Sequence, residues 1–134
     1  VAEDAKKLAV ELVAPDRQVW SGEGDLVVVK TPEGEMGIML NHAPVLAELA
    51  DGSVVRVIND GKQELAAAVH GGFVSMSQNE IQVLTEGAEI GSEVDVAAAR
   101  SALERALAAR DEDDDAVLEE QRARAQLRAA GEEH

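Results

Sequence analysis

The stretch Ser53-Val54-Val55-Arg56-Val57-Ile58, Asn59-Asp60-Gly61-Lys62, Gln63-Glu64-Leu65-Ala66-Ala67-Ala68-Val69-His70 decides the fold class. Two apolar runs flank Asp-Gly, a pair that takes positive φ at both central turn positions at low cost. The spacing predicts a tight β-hairpin with strands over Ser53–Ile58 and Glu64–His70. Downstream, Phe73–Met76 and Ile81–Leu84 flank Ser77-Gln78-Asn79-Glu80, which predicts a second hairpin. Upstream, Leu8, Val10 and Leu12 alternate within Lys7–Val13 up to Pro15, the pattern of a half-buried strand. Asp25–Lys30 contains Leu26-Val27-Val28-Val29, a run expected to be buried on both faces. Short strands at this spacing predict an antiparallel β-sandwich.

The pattern changes after Gly91. Ser92-Glu93-Val94-Asp95 offers Ser or Asp as a helix cap, and Val96 to Arg110 is rich in Ala, Leu, Glu and Arg. Ala99, Leu103, Ala106 and Leu107 recur at helical spacing. Asp111-Glu112-Asp113-Asp114-Asp115 repels itself and is expected to form a solvated turn. A second helix is expected over Ala116–Ala130, stopped by Gly131. The predicted organisation is a sandwich over 1–91 and an antiparallel two-helix hairpin over 92–134. The second helix offers a stripe of Ala123, Leu127 and Ala130. Alanine removes little surface, at about 0.8 kcal/mol per buried methylene, so the hairpin is expected to detach more easily than the Val-rich sandwich.

Composition excludes several functions. With 27 acidic against 12 basic residues, the net charge of −15 disfavours phosphate backbones. Only Trp20 and Phe73 are aromatic, leaving few platforms on which bases could stack. There are no cysteines, so disulfides, thiol catalysis and cysteine–zinc sites are excluded, and a reducing compartment is compatible. No apolar window is long enough to span a bilayer, and no signal-peptide pattern is expected. His42, His70 and His134 fall in no metal-ligand spacing, no serine lies in GxSxG, and no P-loop or Rossmann fingerprint occurs. No catalytic residue, metal site or resident cofactor is expected.

Three segments then carry a resemblance. They are Val13-Ala14-Pro15-Asp16-Arg17-Gln18-Val19-Trp20-Ser21-Gly22-Glu23, Gly34-Glu35-Met36-Gly37-Ile38 through His42-Ala43-Pro44, and Ala68-Val69-His70-Gly71-Gly72-Phe73-Val74. In order and spacing they resemble the epsilon subunits of bacterial F-type ATP synthases. Where that family has Pro-Gly before the histidine, this chain has Leu40-Asn41, and Asn tolerates positive φ.

The resemblance implies a non-catalytic central-stalk rotor subunit, peripheral on the cytoplasmic face of the cell membrane. Its sandwich would touch the gamma subunit and the c-ring, coupling proton-driven rotation to ATP synthesis. Glu35, Met36, Ile38, Met39, Asn41 and His42 become the candidate gamma and c-ring contacts. The C-terminal helices would inhibit ATP hydrolysis when extended, with Arg122, Arg124 and Arg128 meeting acidic loops of the catalytic alpha and beta subunits. The acidic run 111–115 is expected to oppose that insertion. Some family members bind ATP between the helices as a regulatory ligand. Glu89, Asp95 and Arg105 match that motif, and on the second helix either Arg124 with Arg128 or Arg122 with Gln126 aligns. Ala98 stands where the motif has arginine, so ATP binding is expected to be weak or absent. A stand-alone β-sandwich binding module with a disordered tail is the alternative.

Overall fold

The computed structural model describes residues 6–132. Ten strands come first: β1 (Leu8–Ala14), β2 (Arg17–Gly24), β3 (Leu26–Thr31), β4 (Gly34–Met39), β5 (Val45–Glu48), β6 (Asp51–Asn59), β7 (Lys62–His70), β8 (Phe73–Ser77), β9 (Glu80–Leu84) and β10 (Ala88–Ile90). A 3₁₀ turn over Gly91–Glu93 leads to α1 (Val96–Ala109) and α2 (Asp114–Ala129). The strands form two five-stranded sheets, ordered β2-β1-β9-β8-β5 and β10-β7-β6-β3-β4. Among the described residues all strand pairings are antiparallel except β1 with β9, which run parallel mid-sheet.

Both expected hairpin turns form. Asp60 and Gly61 have φ of 52° and 77°, and Asn59 pairs with Lys62. Gln78 and Asn79, at 51° and 63°, close the second hairpin between Ser77 and Glu80. Between the sheets lies a core of aliphatic side chains, including Leu8, Leu12, Val27, Val29, Val57, Val69, Met76, Ile81 and Val83. At one end Lys7 Nζ ties Asp25, Asn59 and Asp60 together at 2.7, 2.8 and 2.9 Å, fastening the chain entry to the β6–β7 turn.

Three sequence expectations need correction. In β3, Val27 and Val29 are buried but Leu26 and Val28 only half-buried, so this strand alternates. The strand buried on both faces is β7: Leu65, Ala67 and Val69 enter the core, while Ala66 and Ala68 lie under α2. Second, Gly34–Met39, not among the strands expected from the sequence, is one, paired residue for residue with β3. Third, α2 starts at Asp114, inside the acidic run. Asp113 is its cap, its carboxylate accepting from Asp115 N at 2.9 Å, and Asp114 and Asp115 occupy the first turn. Carboxylates there oppose the positive end of the helix dipole, which offsets part of their mutual repulsion.

The first helix follows expectation more closely. Asp95 caps it through Ala98 N at 3.0 Å. Ala99 and Ala106 are buried, but Leu107 remains exposed. On α2 the buried set is Ala116, Ala123, Ala125, Leu127 and Ala129. These point in two directions because α2 lies between α1 and the β6–β7 face, not merely against α1. Ala125 and Ala129 meet Ala66, Ala68 and Val54, a contact of methyl groups that lets helix and sheet backbones approach closely.

Candidate interaction sites

The candidate contacts at 35–42 separate by strand alternation. Ile38 is fully buried in the core, so it cannot meet a partner without opening the sandwich. Met36 is half-buried against that core, Glu35 is exposed, and Met39 presents 61% of its surface. Asn41 adopts φ 65°, the conformation expected of the residue standing in for glycine. Its backbone N donates to Asn79 Oδ1 at 2.6 Å, and its side-chain oxygen accepts from Asn79 Nδ2 at 3.1 Å. This pins the loop to the β8–β9 turn. His42 is exposed, its ring Nδ1 within 2.7 Å of Ala43 O. Met39, Asn41 and His42 therefore form one exposed corner, with Ile38 as its buried anchor.

The helical arginines point to different places. Arg122 makes a two-point pair with Asp51, Nε to Oδ1 at 3.0 Å and Nη2 to Oδ2 at 2.8 Å. Gln126, one turn on, donates to Glu89 at 2.9 Å. Arg124 pairs with Glu120 at 3.0 Å, and Arg128 is exposed beside Lys30 and Arg56. Two helical positions are about 200° apart, so Arg122 and Gln126 share one flank of α2 while Arg124 and Arg128 share the other. Glu89 thus meets the flank of α2 that carries Arg122 and Gln126. Asp95 is engaged as a cap, Arg105 is exposed on α1, and the structure does not bring Glu89, Asp95, Arg105, Arg124 and Arg128 into one site. Gln126, an uncharged residue, is the one that meets Glu89, and Ala98 lies exposed in the first turn of α1. Among the described residues there is no cluster of metal-ligating side chains.

The Arg122–Asp51 contact is also the charged part of the hairpin's attachment. The guanidinium holds the Asp51 carboxyl below its usual range and is itself raised by it. His70, opposite Asp51 in the β6–β7 ladder, is pushed below its ordinary 6.5 by burial first and by Arg122 second, with Asp51 and Glu89 opposing. The depressed folded value means that protonation favours the opened state. The His70 contribution is present above 6.5 and is lost as pH falls through its lowered folded value. The Asp51 contribution is lost only further into acid, as pH falls below 3.8. Thermal stability of the hairpin attachment is expected to be lower at pH 5 than at pH 7.5, and His70→Gln should flatten that slope. Equal slopes for both proteins would remove His70 from the account.

One surface was not singled out from the sequence. On the outer face of the β2-β1-β9-β8-β5 sheet, Leu46, Phe73 and Leu84 are 77%, 53% and 47% exposed. Phe73 and Leu84 are cross-strand partners and, with Val13 and Pro15, line a shallow hollow of about 290 Å³. The signal was present: β8 and β9 alternate inward Val74, Met76, Ile81 and Val83 with these outward residues. Contiguous exposed apolar groups of this kind mark contact surfaces more often than chance.

An interlocked sandwich with one face covered by a helical hairpin and the other carrying apolar side chains defines a protein-contacting module rather than a catalytic one. The family sequence described as "ATP synthase, Delta/Epsilon chain, beta-sandwich domain" matches residues 7–91. The ATP synthase epsilon chain of Thermobifida fusca is 50% identical over 128 residues, covering 94% of this chain and 93% of that one. That of Mycobacterium avium is 43% identical over 125 residues, covering 93% and 96%. This chain belongs to the ATP synthase epsilon chain family, a non-catalytic subunit of the complex. A chain in the Euglena gracilis mitochondrial ATP synthase OSCP/F1/c-ring structure superposes with a TM-score of 0.74 at 21% identity, covering 95% of this chain and 81% of that one, a likeness of fold.

Proposed function

We propose that the chain is a rotor subunit at the foot of the central stalk, held against the gamma subunit and the c-ring by its sandwich. It would ride with them at the cytoplasmic face of the membrane, associated only through the complex, and help couple proton-driven rotation to ATP synthesis in the catalytic alpha and beta subunits. The observation that carries this reading is the unequal treatment of the two sandwich faces. One is covered by α2, while the other leaves Leu46, Phe73 and Leu84 to solvent, and Met39 is exposed at the end of β4. The apolar face suits a permanent partner, for which gamma is the choice, and the Met39–His42 corner suits the ring.

The hairpin is the regulatory part of the proposal. Docked, it spends Arg122 on Asp51 and Arg124 on Glu120. Undocked, Arg122 loses Asp51, and the helix can present Arg122, Arg124 and Arg128 to acidic loops of the catalytic subunits and so restrain ATP hydrolysis. ATP is not expected to act as a strong ligand between the helices, because Gln126 is the residue that meets Glu89 and Ala98 stands where the motif has arginine. The experiment is ATP hydrolysis by the complex reconstituted with the full chain and with a version ending at Gly91. Higher hydrolysis after truncation, with gamma still bound, supports the inhibitory hairpin. Unchanged hydrolysis removes it, and failure to assemble with gamma would return the reading to a stand-alone binding module.

A further inference from the structure

Asp-Gly pairs are prone to a spontaneous rearrangement, because glycine has no side chain to hinder attack by its amide nitrogen on the preceding carboxyl carbon. The chain has two of them, Asp51-Gly52 and Asp60-Gly61. Asp60-Gly61 forms the β6–β7 turn, where the Asp60 side chain is mostly exposed and meets Lys7 at 2.9 Å. Asp51-Gly52 lies instead under the docked hairpin. Gly52 is the extra residue of a bulge: Asp51 pairs with His70 and Ser53 with Val69, while Gly52, at φ 67°, stands opposite neither. The ladder therefore fixes this link less firmly than the rest of β6.

Two contacts with α2 restrain the pair. Arg122 grips both carboxylate oxygens of Asp51, at 3.0 and 2.8 Å. Gly52 is buried against the α2 backbone, where a methyl group would lie 2.8 Å from Gln121 C and 3.0 Å from Arg122 N. With its oxygens gripped, the carboxyl group cannot turn its carbon toward the glycine nitrogen. With α2 overhead, the backbone has no room to twist into a ring. The reacting groups are already neighbours, since the Gly52 N–H helps to hold the Asp51 carboxyl ionised.

We propose that Asp51-Gly52 is a masked isomerisation site, which the docked hairpin protects and which rearranges to isoaspartate when α2 leaves the sheet. In that rearrangement the Gly52 nitrogen bonds to Asp51 Cγ, and the protonated carboxyl gives up its hydroxyl with the amide proton as water. The five-membered succinimide then takes water back at the Asp51 main-chain carbonyl carbon, whose bond to nitrogen breaks. Nothing is oxidised or reduced. The backbone is now longer by one methylene, and the carboxylate sits directly on Cα. It no longer reaches both guanidinium nitrogens of Arg122, and the lengthened chain displaces Gly52 from beneath Gln121. The product disfavours redocking, so a chain that has spent long undocked stays undocked. This inference rests on the movable hairpin proposed above, but not on its effect on ATP hydrolysis.

The test is ageing of the full chain at neutral pH, with isoaspartate at each site measured by peptide mapping with electron-transfer fragmentation. Arg122→Gln frees the carboxylate, and Gly91→Ala lifts α2 with Arg122 intact. Each is expected to speed conversion at Asp51 by about threefold or more, while Asp60, held by Lys7 and Asp25, keeps one rate in all three proteins. The chain isomerised at position 51, once separated, should lose amide-exchange protection across 114–129. The proposal falls if Arg122→Gln leaves the Asp51 rate unchanged, if Asp60 accelerates by the same factor, or if the isomerised chain keeps its protection. It also falls if Gly91→Ala opens α2 to exchange without speeding Asp51. Should Gly91→Ala leave α2 protected, the movable hairpin itself loses support, and Arg122→Gln still decides whether the grip protects Asp51.

Discussion

Gly72→Ala is expected to unfold the sandwich, or to leave it marginal, with a loss of more than about 4 kcal/mol. Gly72 sits at φ 114°, outside the range of L side chains, and a methyl group there would lie 2.0 Å from Leu84 O and 2.7 Å from Thr85 Cα. Both neighbours are backbone at the end of β9, so neither can rotate away. The Gly72 carbonyl also accepts from Leu49 N at 2.8 Å, which holds the β5 exit against the β8 entry. A domain of this size has only about 5–15 kcal/mol in total. The neighbouring Gly71 provides the control. Its φ is 71° but it has open space, so Gly71→Ala should cost only about 1–2 kcal/mol of backbone strain. Denaturant titration of the two variants checks the contrast, and similar losses would show that steric contact at Leu84 is not the cause.

The second large effect is expected at the junction between sandwich and hairpin. A methyl group on Gly91 would sit 1.9 Å from Ala129 O and 2.5 Å from Ala129 C, near the end of α2. Gly91→Ala should therefore lift α2 from the sheet. What opposes the lift is small: methyl contacts among Ala66, Ala68, Ala125 and Ala129, each worth about 0.8 kcal/mol, and the Arg122–Asp51 pair. The sandwich core does not include α2, so its melting should change little. Amide exchange should show loss of protection across 114–129 with 8–84 nearly unaffected. In the reconstituted complex the same variant should hydrolyse ATP more slowly, if the undocked hairpin is the inhibitory form. Retained protection over α2 would mean that the backbone adjusts locally and the docking is stronger than its contacts suggest.

The sequence was most informative where one residue type answers one physical demand. Asp60-Gly61 and Gln78-Asn79 supply positive φ, and their hairpins could be placed before the fold was known. Asp95 as a cap and Gly131, at φ 82°, as a stop were legible for the same reason. The strands β2, β4, β5 and β10 were not, because they are short, polar or glycine-containing, and their residues become strands only by pairing with neighbours distant in sequence. Burial on both faces could not be assigned to β7 over β3 from composition. A Val run and an Ala run look alike until it is known which of them a helix covers.

The interaction residues were legible to a lesser degree. Alternation in 34–39 was masked by two glycines, so Ile38 read as equivalent to Met39 although one is core and the other surface. Arginine spacing on α2 placed Arg124 and Arg128 on one flank but could not say which flank meets Glu89. That choice is made by Asp51 and Glu89, residues on strands remote from the helix in sequence.

α2, which follows α1 in the chain, is the one that rests on the sandwich, while α1 packs chiefly on α2. During synthesis the helices emerge in the reverse of the order in which they can settle. Until α2 has left the ribosome, α1 is a passenger without a seat, and the Asp111–Asp113 turn is the tether by which its seat arrives. The same dependence runs backwards in the finished protein. A cut in that turn would leave α2 held only by its contacts with the sheet and α1, and its departure would leave α1 uncovered, whereas any force that lifts the intact α2 carries both helices away at once.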